Sequence, residues 1–284
     1  MQHVSFPDGS TGPALGLGTW RMGESRRERA AEVAAVRLAL ELGYRLIDTA
    51  EMYGEGGAEE VTGQALAQAL RAGSVARDEV FVVSKVYPHN ASRQGVQDAC
   101  DRSRRRLGLD RIDLYLLHWR GEHRLADTVA GFEALCAQGH IARWGVSNFD
   151  VDDMEELLRV RGGAACAANQ VYYSLGARGA GFDLLPWQQQ HSMPLMAYCP
   201  IDQGRLAGET TLQQVAGRHG ATAAQVALAW VLSQPGVMAI PKAVRETHLR
   251  ENLAAATLRL TPEDLQAIDR HFPPPRAKAP LAMV

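Results

Sequence analysis

Short apolar runs alternate with longer amphipathic stretches along most of the chain. The runs predict strands at residues 46–48, 80–85, 112–118, 144–147, 167–170, 195–199 and 238–241, with a weaker one at 15–18. Between the runs, apolar residues recur at three- and four-residue spacing, as at Val33, Val36 and Leu40, which is typical of helices. Because the strand runs are apolar throughout, both faces of the sheet are expected to be covered.

The order of the elements predicts how the sheet is arranged. Strand ends recur every 23 to 44 residues, and the longest interval has room for two helices, near 212–219 and 223–232. Eight strand–helix units fit a (β/α)8 TIM barrel of the α/β class better than an open sheet. An N-terminal β-hairpin at residues 4–6, turning at Asp8 and Gly9, is expected to plug the bottom of the barrel, and extra helices should flank strand 8. No linker divides the chain, so residues 1–284 are predicted to form a single domain.

Helix start signals support this pattern. Asp150 precedes one helical stretch, and Thr222 has Gln225 three residues later. Thr261 is followed by Pro262 at the first helical position. These residues predict where three of the helices begin.

Composition and charge exclude several classes of protein. The chain has 30 Lys and Arg against 32 Asp and Glu, a net charge of −2, which argues against nucleic-acid or anionic-membrane partners. The first residues lack a signal-peptide pattern, and no apolar run is long enough to span a bilayer. The four cysteines, Cys100, Cys136, Cys166 and Cys199, are widely scattered. A cytoplasmic protein is therefore predicted.

Polar residues recur where the apolar strand runs end. They are Asp48, Lys85, His118, Ser147, Asn148 and Gln170. Any one of them is most simply a polar residue at a strand end. At the C-terminal ends of barrel strands, however, all of them would converge on one pocket, which is where barrel enzymes place their chemistry.

The segments around these residues resemble a known family. The chain has LIDTAEMYG at 46–54, VSK at 83–85 and LLHW at 116–119, and together these are similar to the aldo-keto reductase superfamily. The resemblance runs from GLGTW at 16–20 to Glu251 and Asn252. DTAEMY at 48–53, SKVYP at 84–88 and WGVSN at 144–148 closely resemble a short-looped bacterial branch associated with methylglyoxal reduction.

Carbonyl reduction explains the need for these residue types. A hydride must reach carbon and a proton must reach oxygen, but a tyrosine with a pKa of about 10 is a weak acid. Lys85 is expected to lower the pKa of Tyr53, and Asp48 to keep Lys85 charged. His118 would orient and polarise the carbonyl oxygen. The resemblance implies the same four catalytic roles.

The resemblance also implies NADPH as the cofactor. Ser147, Asn148 and Gln170 would hold the nicotinamide carboxamide, Tyr198 would stack on the ring, residues 201–206 would wrap the pyrophosphate, and Lys242 would bind the 2′-phosphate. The residues assigned to the cofactor are Thr19, Ser147, Asn148, Gln170, Tyr198, Pro200, Gln203, Gly204, Leu206, Lys242, His248, Glu251 and Asn252.

Two departures from the family pattern weaken the 2′-phosphate site. The family usually has Ser or Thr directly after the lysine and Arg six residues after it, whereas this chain has Ala243 and His248. Arg245 or Arg250 could compensate. NADPH is therefore expected, with NADH possible at reduced preference.

The sequence thus predicts a monomeric reductase of small aldehydes or ketoaldehydes. Trp20 and Trp119 are expected to wall the substrate pocket. The short loop at 120–126 and the short tail beyond Pro275 predict an open, shallow pocket that favours compact substrates.

Three alternatives to this prediction have less support in the sequence. A nicotinamide-binding barrel could serve as a redox sensor or accessory subunit with little turnover. A metal-dependent hydrolase has little support, because no HxH or HExxH motif is present and no metal is expected. A Rossmann fingerprint fails, because Arg21 stands where GxGxxG needs its last glycine.

Overall fold

Two short antiparallel strands form a hairpin ahead of eight parallel strands in this computed structural model, which describes residues 2–284. The hairpin strands are β1 (His3–Ser5) and β2 (Thr11–Pro13). The parallel strands are β3 (Leu17–Gly18), β4 (Leu46–Asp48), β5 (Phe81–Val86), β6 (Leu114–Leu117), β7 (Trp144–Ser147), β8 (Asn169–Tyr172), β9 (Leu195–Tyr198) and β10 (Val237–Ala239). They lie side by side in chain order, as predicted.

The sheet closes on itself at the seam between β3 and β10. Parallel bridges join Leu15 to Ala239 and Gly18 to Lys242 across this seam. A Cβ atom at Gly18 would lie 2.6 Å from the carbonyl oxygen of Ile240, so only glycine allows the two edges to approach this closely. The predicted (β/α)8 barrel is confirmed.

Within residues 2–284, ten α-helices surround the barrel. They are α1 (Arg29–Leu42), α2 (Gly57–Arg71), α3 (Arg93–Leu107), α4 (Leu125–Ala137), α5 (Val151–Arg159), α6 (Leu184–Gln190), α7 (Thr210–His219), α8 (Ala223–Leu232), α9 (Glu246–Ala255) and α10 (Pro262–His271). The extra helices on both sides of β10 are confirmed. The side chains of Asp150, Thr222 and Thr261 each accept the backbone N–H three residues on, so all three predicted starts are capped.

The hairpin covers the N-terminal end of the barrel. Phe6 belongs to the apolar cluster inside the barrel, and its ring stacks on Phe81, the first residue of β5, at a centroid distance of 5.6 Å. The guanidinium of Arg143 lies 5.0 Å from the centre of the Phe6 ring and pairs with Asp8 at 3.1 Å. With this end closed, the C-terminal end is left for ligands.

A second, larger apolar cluster fills the space between the barrel and the helices. In the described residues, no helix has the length and apolar character needed to cross a membrane. That residues 1–284 form one domain stays a prediction, and Met1 lies outside the described part of the chain.

Candidate active site

A cavity of about 490 Å³ opens at the C-terminal end of the barrel. Its size is within the usual range for small-molecule sites. Predicted site residues make up much of its lining, namely Trp20, Asp48, Tyr53, His118, Trp119, Ser147, Asn148, Gln170, Tyr198, Pro200, Gln203 and Lys242. The strand-end residues converge as expected, because parallel strands present their carboxyl ends at the same rim.

Lys85 lies behind this lining, fully buried on β5. Its Nζ atom lies 2.8 Å from Oδ2 of Asp48, 2.9 Å from the carbonyl oxygen of Thr49 and 3.2 Å from the hydroxyl oxygen of Tyr53. Three oxygen atoms therefore match the three N–H donors of an ammonium.

This arrangement sets the direction of the Tyr53 proton. The Tyr53 oxygen accepts an N–H from Lys85, and an ammonium has no lone pair to accept the phenolic proton in return. The Tyr53 O–H is therefore free to point into the cavity that its side chain lines. The site therefore presents the Tyr53 hydroxyl as a proton donor to whatever occupies the cavity.

The pKa of Tyr53 is raised, not lowered as expected. Burial raises the pKa of the Tyr53 hydroxyl well above its ordinary value, and the negative charge of Asp48 raises it further. Burial also raises the pKa of Asp48 and lowers that of Lys85, while their contact acts in the opposite direction on both. Burial outweighs the stabilisation that the ammonium of Lys85 offers to a phenolate, so burial decides the pKa of Tyr53. Tyr53 is protonated at neutral pH.

His118 is the second polar group that faces Tyr53. The two rings meet edge to face, with their centroids 5.7 Å apart. Burial, with the nearby charge of Lys85, holds the pKa of His118 well below its ordinary value, so the ring is neutral. Within residues 2–284 its buried Nδ1 has no hydrogen-bond partner. An N–H without an acceptor costs more than a lone pair without a donor, so the proton belongs on Nε2, where it can donate to a carbonyl oxygen.

Two amide side chains on the other side of the cavity are already oriented. The NH₂ group of Gln170 donates to Oδ1 of Asp48 at 2.8 Å, and a carboxylate can only accept, so its Oε1 must point elsewhere. The NH₂ group of Asn148 donates to the carbonyl oxygen of His118 at 3.2 Å, and its Oδ1 accepts the hydroxyl of Tyr198 at 2.9 Å. Gln170 thus keeps an acceptor for a ligand's amide N–H.

The structure distinguishes between the two arginines that could compensate at the predicted 2′-phosphate site. Arg250 pairs with Glu246 at 2.7 Å. Arg245 instead donates from Nη2 to Nε2 of His248 at 2.8 Å. Because a guanidinium only donates, Nε2 of His248 is the acceptor in this contact, and Arg245 has no carboxylate to neutralise its charge.

Other predicted cofactor residues lie outside the cavity lining. Thr19 is fully buried, and its hydroxyl donates to the carbonyl oxygen of Asp48 at 3.0 Å. Leu206 packs in the core between the barrel and the helices, and Asn252 is buried on α9. Glu251 also lies on α9, and Gly204 lies in the loop after β9. Their assignments to a cofactor remain predictions.

The cavity also has lining residues that the sequence did not indicate. Arg21 lies at φ 62° with its guanidinium 4.5 Å from the centre of the Trp20 ring. Met283 and Val284, far from the strand ends in sequence, also line the cavity. The sequence feature that could have revealed these two residues is the return of apolar residues after the prolines at 273–275. Residues 2–284 contain no group of three or more His, Cys, Asp or Glu side chains placed to ligate a metal ion.

Comparisons with known proteins agree with this geometry. The model of the Aldo/keto reductase family matches residues 14–272. The chain is 50% identical over 289 residues to methylglyoxal reductase YeaE of Escherichia coli (strain K12), covering 100% of this chain and 99% of that protein. It is 35% identical to glyoxal reductase of Bacillus subtilis (strain 168), covering 94% and 91%. A solved aldo/keto reductase of Klebsiella pneumoniae, in complex with NADP and acetate, superposes with a TM-score of 0.94 at 49% identity, covering 99% of each chain.

Proposed function

We propose that this chain, which belongs to the aldo/keto reductase family, reduces small aldehydes and ketoaldehydes of the methylglyoxal type to alcohols with NADPH. The observation that carries the proposal is the Tyr53 hydroxyl, held by Lys85 so that its proton can face the cavity. Relatives named methylglyoxal reductase and glyoxal reductase support the substrate class. The proposal includes a monomer acting in the cytoplasm, and the four free cysteines support that compartment.

The residues of the cavity fit NADPH. The acceptor on Gln170 suits a carboxamide, and Tyr198 supplies an aromatic face beside it. Lys242 has no carboxylate partner in the described part of the chain, so its charge is available to a phosphate, as is that of Arg245. Solved Klebsiella pneumoniae relatives at 49% identity are complexes with NADP and NADPH.

The side chains of the site then each perform one part of the reduction. NADPH supplies the hydride when bound. Tyr53 donates its proton to the carbonyl oxygen, and the ammonium of Lys85 at 3.2 Å stabilises the phenolate that remains. Asp48 keeps Lys85 charged at that moment. The Nε2–H of His118 donates to the same carbonyl oxygen and fixes its position.

Initial rates over a panel of small carbonyls, with NADPH and with NADH, test the proposal. Steady oxidation of NADPH with methylglyoxal is the expected result. Tight binding of the cofactor without turnover on any carbonyl would instead favour a redox sensor or accessory subunit.

The rate of reduction should change little with pH near neutrality. The pKa of Tyr53 lies well above 10.0 and that of His118 well below 6.5, so the donor stays protonated and the imidazole neutral between those values. We expect kcat to vary by no more than about twofold from about pH 7 to pH 9. A tenfold fall per pH unit with a midpoint near pH 8 would show an acidified phenol and contradict the burial argument.

Cofactor preference should depend on Arg245 and Lys242 and not on Arg250. A charge-assisted hydrogen bond to a phosphate is worth about 1.5–3 kcal/mol, or roughly 10–150-fold in affinity. Arg245→Ala and Lys242→Ala are each expected to weaken NADPH by an amount in this range and to leave NADH nearly unchanged. Dissociation constants from fluorescence titration measure both.

Arg250→Ala is the matched control for that experiment. Arg250 lies on α9, which begins directly after Arg245, but its guanidinium is occupied by Glu246. If this variant lost more NADPH affinity than Arg245→Ala, the assignment of the phosphate to Arg245 would be wrong.

A further inference from the structure

A fully buried carboxylate, that of Glu59, lies behind the strand that carries Lys85. Glu59 belongs to α2, and its Oε1 atom accepts the hydroxyl of Ser84, the residue directly before Lys85, at 2.5 Å. Its Oε2 atom accepts the Nε–H of Arg106 on α3 at 2.6 Å. Because successive side chains of a strand alternate, Ser84 and Glu59 lie on the helix side of β5 and Lys85 on the cavity side. Glu59 therefore connects two helices to the back of the strand that carries Lys85.

Arg106 binds Glu59 and also packs against the turn that carries Tyr53. This turn begins at Tyr53 and ends at Gly56, which adopts a φ of 92°. A Cβ atom at Gly56 would lie 2.5 Å from Nε of Arg106, so a side chain there would displace the guanidinium. The ion pair thus connects the turn of Tyr53 to the strand of Lys85, the two segments whose side chains meet at 3.2 Å in the site.

The carboxylate of Glu59 also acts on the charge of Lys85. Burial lowers the pKa of Lys85, whereas the charges of Asp48 and Glu59 raise it. Burial raises the pKa of Glu59 itself, and the guanidinium of Arg106 acts in the opposite direction. Because a guanidinium keeps its proton, the contact with Arg106 favours the ionised carboxylate.

The other titratable groups around this pair carry no charge at neutral pH. Burial keeps the pKa of each hydroxyl or thiol high and that of the imidazole low. These groups are Tyr53, Cys100, Tyr115 and His118. Asp48 and Glu59 are therefore the anions of this set that act on Lys85, one from each side of the sheet.

We propose that Glu59 is a positioning residue for carbonyl reduction and acts through Lys85. Bound by Arg106, its carboxylate keeps Lys85 charged and within reach of the Tyr53 oxygen. This inference rests on the proposed function, because the ammonium is needed when Tyr53 gives up its proton. Asp48 acts on Lys85 from inside the barrel, and Glu59 acts from outside it.

Replacing Glu59 with glutamine should change kcat and its pH dependence. Glu59 lies outside the cavity lining, so we expect kcat at pH 7 to fall about three- to thirtyfold while KM stays within about twofold. Lys85 is charged below its titration midpoint and neutral above it, so the loss of an anion extends the neutral form to lower pH. The fall of kcat at alkaline pH should therefore begin about one pH unit lower than in the parent protein. A purely structural role would lower stability and leave this fall in place.

Asp113→Asn is the matched control. Asp113 is another buried carboxylate that binds one arginine, Arg77, at 2.8 Å, and one donor of β5, the N–H of Val82, at 2.9 Å. Val82 precedes Lys85 by three residues, or about 10 Å of strand. This variant should lose stability as well, but its kcat should keep the pH dependence of the parent protein.

The charge of Lys85 can be measured without turnover. The chain has three lysines, Lys85, Lys242 and Lys278, and the last two are exposed. With carbon-13 at Cε of lysine, the variants Lys242→Ala and Lys278→Ala assign the three NMR resonances by elimination. The titration midpoint of the Lys85 resonance should be about one pH unit lower in Glu59→Gln than in the parent protein, and unchanged in Asp113→Asn.

A double variant covers the case in which Glu59→Gln leaves Arg106 unpaired and the protein does not fold. Glu59→Gln combined with Arg106→Gln removes both charges, so much of the stability should return. The Lys85 midpoint should still lie below that of the parent protein, because the carboxylate contacts β5 and the guanidinium lies beyond it.

Equal Lys85 midpoints in the parent protein, Glu59→Gln and the double variant would overturn the proposal while the reductase function stood. An equal shift in Asp113→Asn would also overturn it, because the loss of any buried carboxylate would then act on Lys85. If no carbonyl were turned over, the proposed function would fail, and the Lys85 midpoint would still decide whether Glu59 sets the charge of Lys85.

Discussion

Replacing Tyr53 with phenylalanine is expected to lower kcat for carbonyl reduction by about 10²–10⁴-fold, the usual contribution of a general acid. The ring would still pack, because only the oxygen that contacts Lys85 is lost. The dissociation constant for NADPH should therefore stay within about twofold. Single-turnover rates and cofactor titration measure the two quantities separately.

Tyr87→Phe is the matched control for this variant. The Tyr87 ring lies 6.1 Å from that of Trp119 at the edge of the site, and its hydroxyl makes only a long contact, 3.4 Å, with Glu55. We expect it to keep most of the activity. If Tyr53→Phe retained activity within about threefold of the parent protein, the proton would come from another group, such as His118 or water.

Replacing Lys85 with methionine is expected to be nearly as damaging to kcat and more damaging to stability. The phenolate of Tyr53 would lose the cation that stabilises it. Asp48, which is 2% exposed, would keep only Gln170 as a side-chain partner. Breaking a buried ion pair in this way costs about 3–5 kcal/mol. Steady-state kinetics and urea denaturation measure the two effects.

A second variant separates stability from chemistry at this pair. Lys85→Met combined with Asp48→Asn removes both charges, so much of the lost stability should return while activity should not. A Lys85→Met protein as stable and as active as the parent would show that no ion pair is at work. Recovery of activity in the double variant would mean that the charge on Lys85 has no part in proton transfer.

The fold could be predicted from local sequence patterns because each pattern has a single physical cause. Both faces of the strands are buried, so they appear as uninterrupted apolar runs, and the sequence placed them within a few residues of their observed bounds. Side-chain caps such as Thr222 and Thr261 act within three residues, so sequence spacing alone revealed them. Even the convergence of Asp48, Lys85 and His118 needed only the rule that parallel strands end at one rim.

Other properties of the site depend on burial and on contacts between residues far apart in sequence. The spacing of residues along the chain does not reveal these. The sign of the pKa shift of Tyr53 depends on burial, which outweighs the contact of the hydroxyl with Lys85. The choice between Arg245 and Arg250 depends on which one has an acidic neighbour in space. The place of Met283 in the cavity lining depends on the path of the chain after α10, which local spacing does not reveal.

Because the cavity lies over the seam between β3 and β10, a ligand bound there should stabilise the folded barrel. Trp20 follows one edge of this seam and Lys242 lies on the other, and both line the cavity. A dinucleotide that contacts both residues would hold two edges joined by few backbone bridges. Occupancy and resistance to unfolding are therefore linked, and at a ligand concentration 100 times the Kd the linkage adds about 2.7 kcal/mol. Cellular supply of the reductant would then set how long each molecule survives heat and proteolysis, in addition to how fast it turns over.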